Sequence, residues 1–163
     1  MQLVIFTGLQ AAGKSSFYRQ RFAATHVQIS KDLLRNNKRP ARRQAQLLAE
    51  ALAAGSSVVV DNTNATVAER AELIRLGREH DAEIAGYFFV PEVKGSLERN
   101  RRREGHERVP DIAIFATLKR LTPPTYAEGF DQLYTVRITS EGQFDVEPMP
   151  HEEPALVDEK AAD

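Results

Sequence analysis

The 163-residue chain is 42% hydrophobic and 28% charged, ordinary for one soluble globular domain, and its lack of cysteine excludes a disulfide framework or a thiolate zinc site. No apolar run approaches the roughly 18 residues of a membrane span and no basic leader precedes the first apolar run, so the expected location is cytoplasmic. The net charge of −1 conceals an asymmetry: residues 1–140 hold 21 basic and 15 acidic side chains, a body near +6 that suits a polyanionic ligand without requiring one.

The apolar run Leu3-Val4-Ile5-Phe6 reads as a strand, and Gly8-Leu9-Gln10-Ala11-Ala12-Gly13-Lys14-Ser15 behind it fits G-x-x-x-x-G-K-S/T at every specified position. Such a loop turns a strand into a helix while its backbone N–H groups, here including those of Ala11, Ala12 and Ser16, point at phosphate oxygens. Gly8 and Gly13 stand where a Cβ would block positive φ or close approach. Lys14 is placed to reach the β- and γ-phosphates of a nucleotide, and the Ser15 hydroxyl to take one position on Mg²⁺.

Residues 14–24 read as a helix and 27–30 as a short strand that delivers Lys31 and Asp32; 31–43 are dense in base, and 41–54 form a helix closed by Gly55. Ser57 to Val60 lacks alternation, as a strand buried on both faces does, and ends in Asp61-Asn62-Thr63-Asn64. Thr66 and Glu69 make a capping box for a helix to about residue 80, followed by a strand over 83–90. A helix over 92–103 becomes strongly basic, breaks at 104–107, and gives way to another over 109–121; Thr122-Pro123-Pro124 is a turn and 133–138 a last strand. The alternation predicts an α/β fold with a mainly parallel sheet and helices on both faces, its ligands lying beyond the carboxyl ends of the strands. Residues 1–147 form the expected domain, and the acidic, proline-containing segment 148–163 reads as a disordered tail.

Asp32 is either a general base for a hydroxyl acceptor or a helix N-cap. Arg35, three residues on, either forks onto an acceptor phosphate or pairs with Asp32. Asp61 stands where nucleotide-binding folds put a carboxylate near Mg²⁺, which it would reach through water, with Asn62, Thr63 and Asn64 as donors and acceptors beside it; the same four residues are also good turn formers. Arg99, Arg101, Arg102 and Arg103 precede a glycine-containing break, as in a lid that lays arginine on a transferring phosphate, with Arg103 the lead and Arg99 second. The four histidines are scattered and receive no catalytic role, and Tyr126 and Phe130 read as a packing pair.

Together with Ser30-Lys31-Asp32, Arg35 and Pro124-Thr125-Tyr126-Ala127-Glu128-Gly129-Phe130, these motifs resemble the kinase domain of polynucleotide kinase-phosphatases over nearly the whole chain to about Ile138. The resemblance implies a P-loop NTPase-type three-layer sandwich with a basic helical lid, and ATP- and Mg²⁺-dependent phosphorylation of a 5′-hydroxyl on DNA or RNA. It implies Asp32 as base, Arg35 on the phosphate beside the acceptor, Asp61 near the acceptor site, and Lys14, Ser15 and a lid arginine on the nucleotide. Lys31 stands where that family commonly has arginine, and no D-x-D-x-T phosphatase signature occurs, so the expectation is a lone kinase domain. A small-molecule or nucleoside kinase on the same scaffold, or a nucleotide-gated binding module, are the alternatives.

Overall fold

The structure, a computed structural model, describes residues 1–151. Strands β1 (Gln2–Thr7), β2 (Val27–Ile29), β3 (Val58–Val60), β4 (Glu83–Phe89), β5 (Gln132–Ile138) and β6 (Phe144–Pro148) form one sheet in the order β2-β3-β1-β4-β5-β6. All neighbours pair in parallel except β6, which returns antiparallel along β5. The helices are α1 (Lys14–Arg21), α2 (Pro40–Ala53), α3 (Val67–Glu79), α4 (Val93–Arg101) and α5 (Asp111–Arg120).

Alternation along the central strand sends side chains to two cores. Leu3 and Ile5 pack with Val58, Val60, Leu48 and Leu52 of α2 and Leu73 and Ile74 of α3. Val4 and Phe6 pack on the other face with Phe17, Phe22, Val59 and Phe89, where Phe6 lies 5.3–6.0 Å from four other aromatic rings. Burial on both faces explains why Val58-Val59-Val60 shows no alternation, and the result is the expected three-layer arrangement.

Three local outcomes differ from the sequence expectation. α1 stops short of residue 24, the chain turning at Phe22 to seat that ring in the core. The box at the start of α3 is half as drawn: Thr66 Oγ1 accepts from the Glu69 N–H at 3.2 Å, but the Glu69 carboxylate reaches the Ala65 N–H at 3.0 Å, one residue before the cap. Strand β6 was not expected, and it carries order past the anticipated boundary at residue 147. The Met149 N–H donates to Leu133 O and the Tyr126 hydroxyl to Met149 O, both at 2.8 Å, while the Tyr126 and His151 rings stack. The rest of the anticipated tail, 152–163, lies outside the described residues.

Candidate active site

The phosphate loop joins β1 to α1 at the carboxyl edge of the sheet. Gly13 has φ +91°, and a Cβ there would stand 2.9 Å from Ile138 Cδ1, so both conformation and packing require glycine. Gly8 is required by close approach alone, since its φ is not positive and a Cβ would meet Phe89 Cβ at 2.8 Å. Ala11 takes the left-handed conformation itself at φ +57°.

Lys14 is buried and its ammonium donates to the carbonyls of Gly8 (2.9 Å) and Leu9 (2.5 Å). Burial pulls its pKa down to about 8; Asp61 and, more weakly, Asp32 act to raise it, and Arg103 to lower it. Three residues expected around a transferring phosphate therefore act electrostatically on this one ammonium. Ser15 Oγ donates to Asp61 Oδ2 at 2.8 Å, and the Gln28 amide donates to the same oxygen at 2.8 Å. The pair of Ser15 and Asp61 fits Mg²⁺, a hard cation that keeps most of its waters and takes few protein oxygens; no cluster of three or more metal-ligating side chains exists among the described residues.

Asp32 lies in a short 3₁₀ turn, Lys31–Leu34, and is not its N-cap. Ser30 is the cap, its hydroxyl accepting from the Asp32 N–H at 3.2 Å, so the Asp32 side chain is exposed and accepts no hydrogen bond from the described residues. Arg35 is exposed and forms no ion pair with Asp32. In residues 61–64 the side chains of Asn62 and Asn64 are taken up by the protein. Asn64 is buried at φ +41°, its amide donating to Phe6 O at 2.7 Å and its carbonyl accepting from Thr7 Oγ1 and Arg70. Both polar atoms of Asn62 are engaged by Lys31 N and Gln44, and the Thr63 carbonyl takes the Gly8 N–H at 3.0 Å. Asn64 is therefore a backbone clamp without access to an acceptor, and Asn62 and the Thr63 carbonyl are occupied by the protein.

On the lid side Arg99 Nε donates to Ala11 O at 2.6 Å, which lays Arg99 against the phosphate loop; burial lowers its pKa. Arg103 is half-buried, while Arg101 and Arg102 are exposed. Asn100, fully buried, clamps the base of the break by donating to Val109 O (2.7 Å) and accepting from Val109 N (3.0 Å). Two clefts, of about 190 and 410 Å³, flank the loop and share Arg99 and Ile138. The smaller is walled by Phe89, Pro91 and Val136, the larger by Ser16, Arg102 and the turn between β5 and β6, which gives a nucleoside room beside the phosphates.

Sequence reasoning missed Gln28, Gln44, Asn100 and Arg70. Arg70 is wholly buried and makes a bidentate pair with Glu128 at 2.8 and 3.2 Å while holding Asn64 O at 2.9 Å. A signal existed for two of them: Gln44 and Arg70 sit on otherwise apolar helix faces, four residues ahead of Leu48 and Ile74.

The chain is 25% identical to the bifunctional polynucleotide phosphatase/kinase of Schizosaccharomyces pombe, over 83% of this chain and 33% of that protein. It spans about a third of the length of the curated relatives it matches. Among solved structures, a gluconokinase from Sinorhizobium meliloti aligns with a TM-score of 0.61 at 20% identity, covering 85% of this chain and 83% of that one. A fungal RNA kinase aligns with a TM-score of 0.63 at 13% identity, covering 95% and 79%. These likenesses establish the architecture of P-loop kinases. A family model described as AAA domain matches residues 3–124, and with its phosphate loop in place the chain belongs to that family of nucleotide-binding P-loop proteins.

Proposed function

We propose that this protein transfers the γ-phosphate of ATP to a 5′-hydroxyl of DNA or RNA. The observation that carries the polyanionic acceptor is the distribution of ion pairs. Among the described residues the arginines with a carboxylate within 4 Å are Arg70, Arg75, Arg78 and Arg120, on α3 and the end of α5. Among the described residues none of the six cations between Lys31 and Arg43, and none of the lid arginines, has such a partner. Six cations within residues 31–43, on the segment that carries Asp32, suit an acceptor whose phosphates supply the missing charge.

In this reading Asp32 takes the proton of the 5′-hydroxyl, whose oxygen attacks the γ-phosphorus as the bond to the β–γ bridging oxygen breaks and ADP leaves. Lys14 exchanges the Gly8 and Leu9 carbonyls for phosphate oxygens, and Arg103 and Arg99 meet the charge from the lid side. Ser15, with Asp61 through water, would hold Mg²⁺, which would supply positive charge against the phosphates. Arg35 orients the phosphate next to the acceptor hydroxyl.

The test is transfer of labelled γ-phosphate to a 5′-hydroxyl oligonucleotide with free nucleosides as competitors. Asp32→Asn should lower kcat by about 10²–10⁴ with KM for ATP unchanged, and Lys14→Ala should abolish transfer. Oligonucleotide kcat/KM should fall steeply with salt and nucleoside labelling should not. Labelling of the nucleoside alone, or of no acceptor, would overturn the assignment.

A further inference from the structure

Each residue of the stretch 61–64 is tied to a different part of the fold: Asp61 to Ser15 and Gln28, Asn62 to Lys31 and Gln44, Thr63 to Gly8, and Asn64 to Phe6 and Arg70. The loop thus joins the phosphate loop to the turn bearing Asp32. That turn buries none of its residues fully: of its two leucines, Leu33 is 69% exposed and Leu34 is half-buried. Apolar packing is therefore a small part of what holds it. Its first two backbone N–H groups are anchored by side chains, Lys31 N on Asn62 Oδ1 at 2.8 Å and Asp32 N on Ser30 Oγ at 3.2 Å.

Asn62 is fixed in turn by Gln44, whose Oε1 accepts from Asn62 Nδ2 at 2.7 Å. Gln44 occupies the position where the buried stripe of α2, Leu48 and Leu52, would continue with another apolar residue, and it is only 6% exposed. A buried amide costs stability unless it is bonded, and here its carbonyl is spent on Asn62. Arg42 and Arg43 immediately precede it on the same helix.

We propose that Gln44 is a positioning residue for proton abstraction, setting Asp32 through the relay Gln44–Asn62–Lys31 and coupling the basic helix α2 to the base. The proposal rests on the reading of Asp32 as general base. It also explains why Asn62, adjacent to Asp61, is bonded away from the nucleotide: its amide orients the acceptor side.

Gln44→Met keeps side-chain volume and completes the apolar stripe, so it should fold with an unfolding midpoint no lower than wild type, while leaving Asn62 Nδ2 without its acceptor. Transfer to the oligonucleotide should lose about 10- to 100-fold in kcat, with KM for ATP within about twofold of wild type. Hydrogen exchange at the Lys31 amide should accelerate about tenfold, because its acceptor is no longer held. Gln44→Glu, which retains an oxygen to accept from Asn62, should restore most of the kcat and the protection. An unchanged kcat in Gln44→Met, parallel losses in kcat and ATP affinity, or a Gln44→Glu variant as impaired as Gln44→Met would overturn the proposal. A wild-type protein that labels no oligonucleotide would sink the acceptor assignment, whereas the Lys31 amide, read without any acceptor, still decides whether Gln44 holds the turn.

Discussion

Replacing Arg70 by Met tests the internal scaffold of the site most directly. The guanidinium is wholly buried, its partner Glu128 is 7% exposed, and three hydrogen bonds go with it: two to Glu128 and one to Asn64 O. Methionine keeps much of the volume, so the cavity contribution is small and the loss is chiefly that of a stranded carboxylate, which retains only the Thr125 N–H at 2.8 Å. Removing one partner of such a pair costs about 3–5 kcal/mol. For a domain of this size that corresponds to a fall in Tm of roughly 6–20 °C, at about 2–4 °C per kcal/mol. Urea denaturation should show the loss as a lower midpoint at unchanged slope. The double variant Arg70→Met/Glu128→Met strands no charge and should cost clearly less than the two single variants added together. A loss below about 1 kcal/mol for Arg70→Met, or strict additivity in the cycle, would refute the view that this pair carries its charges through burial.

The depressed pKa of Lys14 gives a signed expectation. Because burial moves it from 10.5 down to about 8, the free protein loses the ammonium above that pH, whereas nucleotide phosphates favour the charged form. Nucleotide binding should therefore take up a proton between pH 8 and 10.5 and weaken as pH rises; calorimetry in two buffers of different ionisation enthalpy reads this, and Lys14→Arg should show no uptake. Uptake that is zero in wild type, or equal in Lys14→Arg, would contradict the assignment. Gly13→Ala and Gly55→Ala separate conformation from contact: both glycines have positive φ, but only Gly13 faces a neighbour, Ile138 Cδ1 at 2.9 Å, while Gly55 has nothing within 4 Å. Gly55→Ala should cost the backbone part alone, about 1–2 kcal/mol, and Gly13→Ala measurably more; equal losses in denaturation would remove the packing argument.

What the sequence made legible follows from distance along the chain. The phosphate loop, the carboxylates at strand ends and the basic break are local signals, and the structure brings Asp61, Asp32 and Arg103 within electrostatic reach of Lys14. The residues that hold them are not local: Gln28 meets Asp61 from 33 positions away, Gln44 meets Asn62 from 18, and Arg70 meets Glu128 from 58. A long-range partner leaves no spacing to read. What it leaves is a misplaced polar residue on an apolar face, visible at Gln44 and Arg70. Strand β6 was hidden by composition. Its acidic Asp145 and Glu147 adjoin the stretch from Pro148 that reads as a tail, yet Phe144 and Val146 alternate with them and pack against the second core, and charges and proline are what an edge strand tolerates.

Strand order explains why a loop after β3 can touch both the phosphate loop and the turn bearing Asp32. The chain leaves β1 through α1 on one face and reaches β2 at the sheet edge, then fills the gap with β3 and crosses through α3 on the opposite face to β4. The connections after β1 and β3 diverge to opposite faces, opening a crevice between the carboxyl ends of two adjacent strands. Lys14 and Ser15 enter it from the first connection and Asp61 from the second, so residues 46 apart in sequence meet at 2.8 Å. β2 pairs with β3 on its far side, which puts the turn bearing Asp32 one strand away from the loop 61–64 and two from the phosphate loop. In space the order is β1 with the phosphate loop, β3 with residues 61–64, and β2 with the turn bearing Asp32. The middle position is the only one of the three whose loop can touch both neighbours, and the four hydrogen-bonding residues that follow Val60 use it in that way.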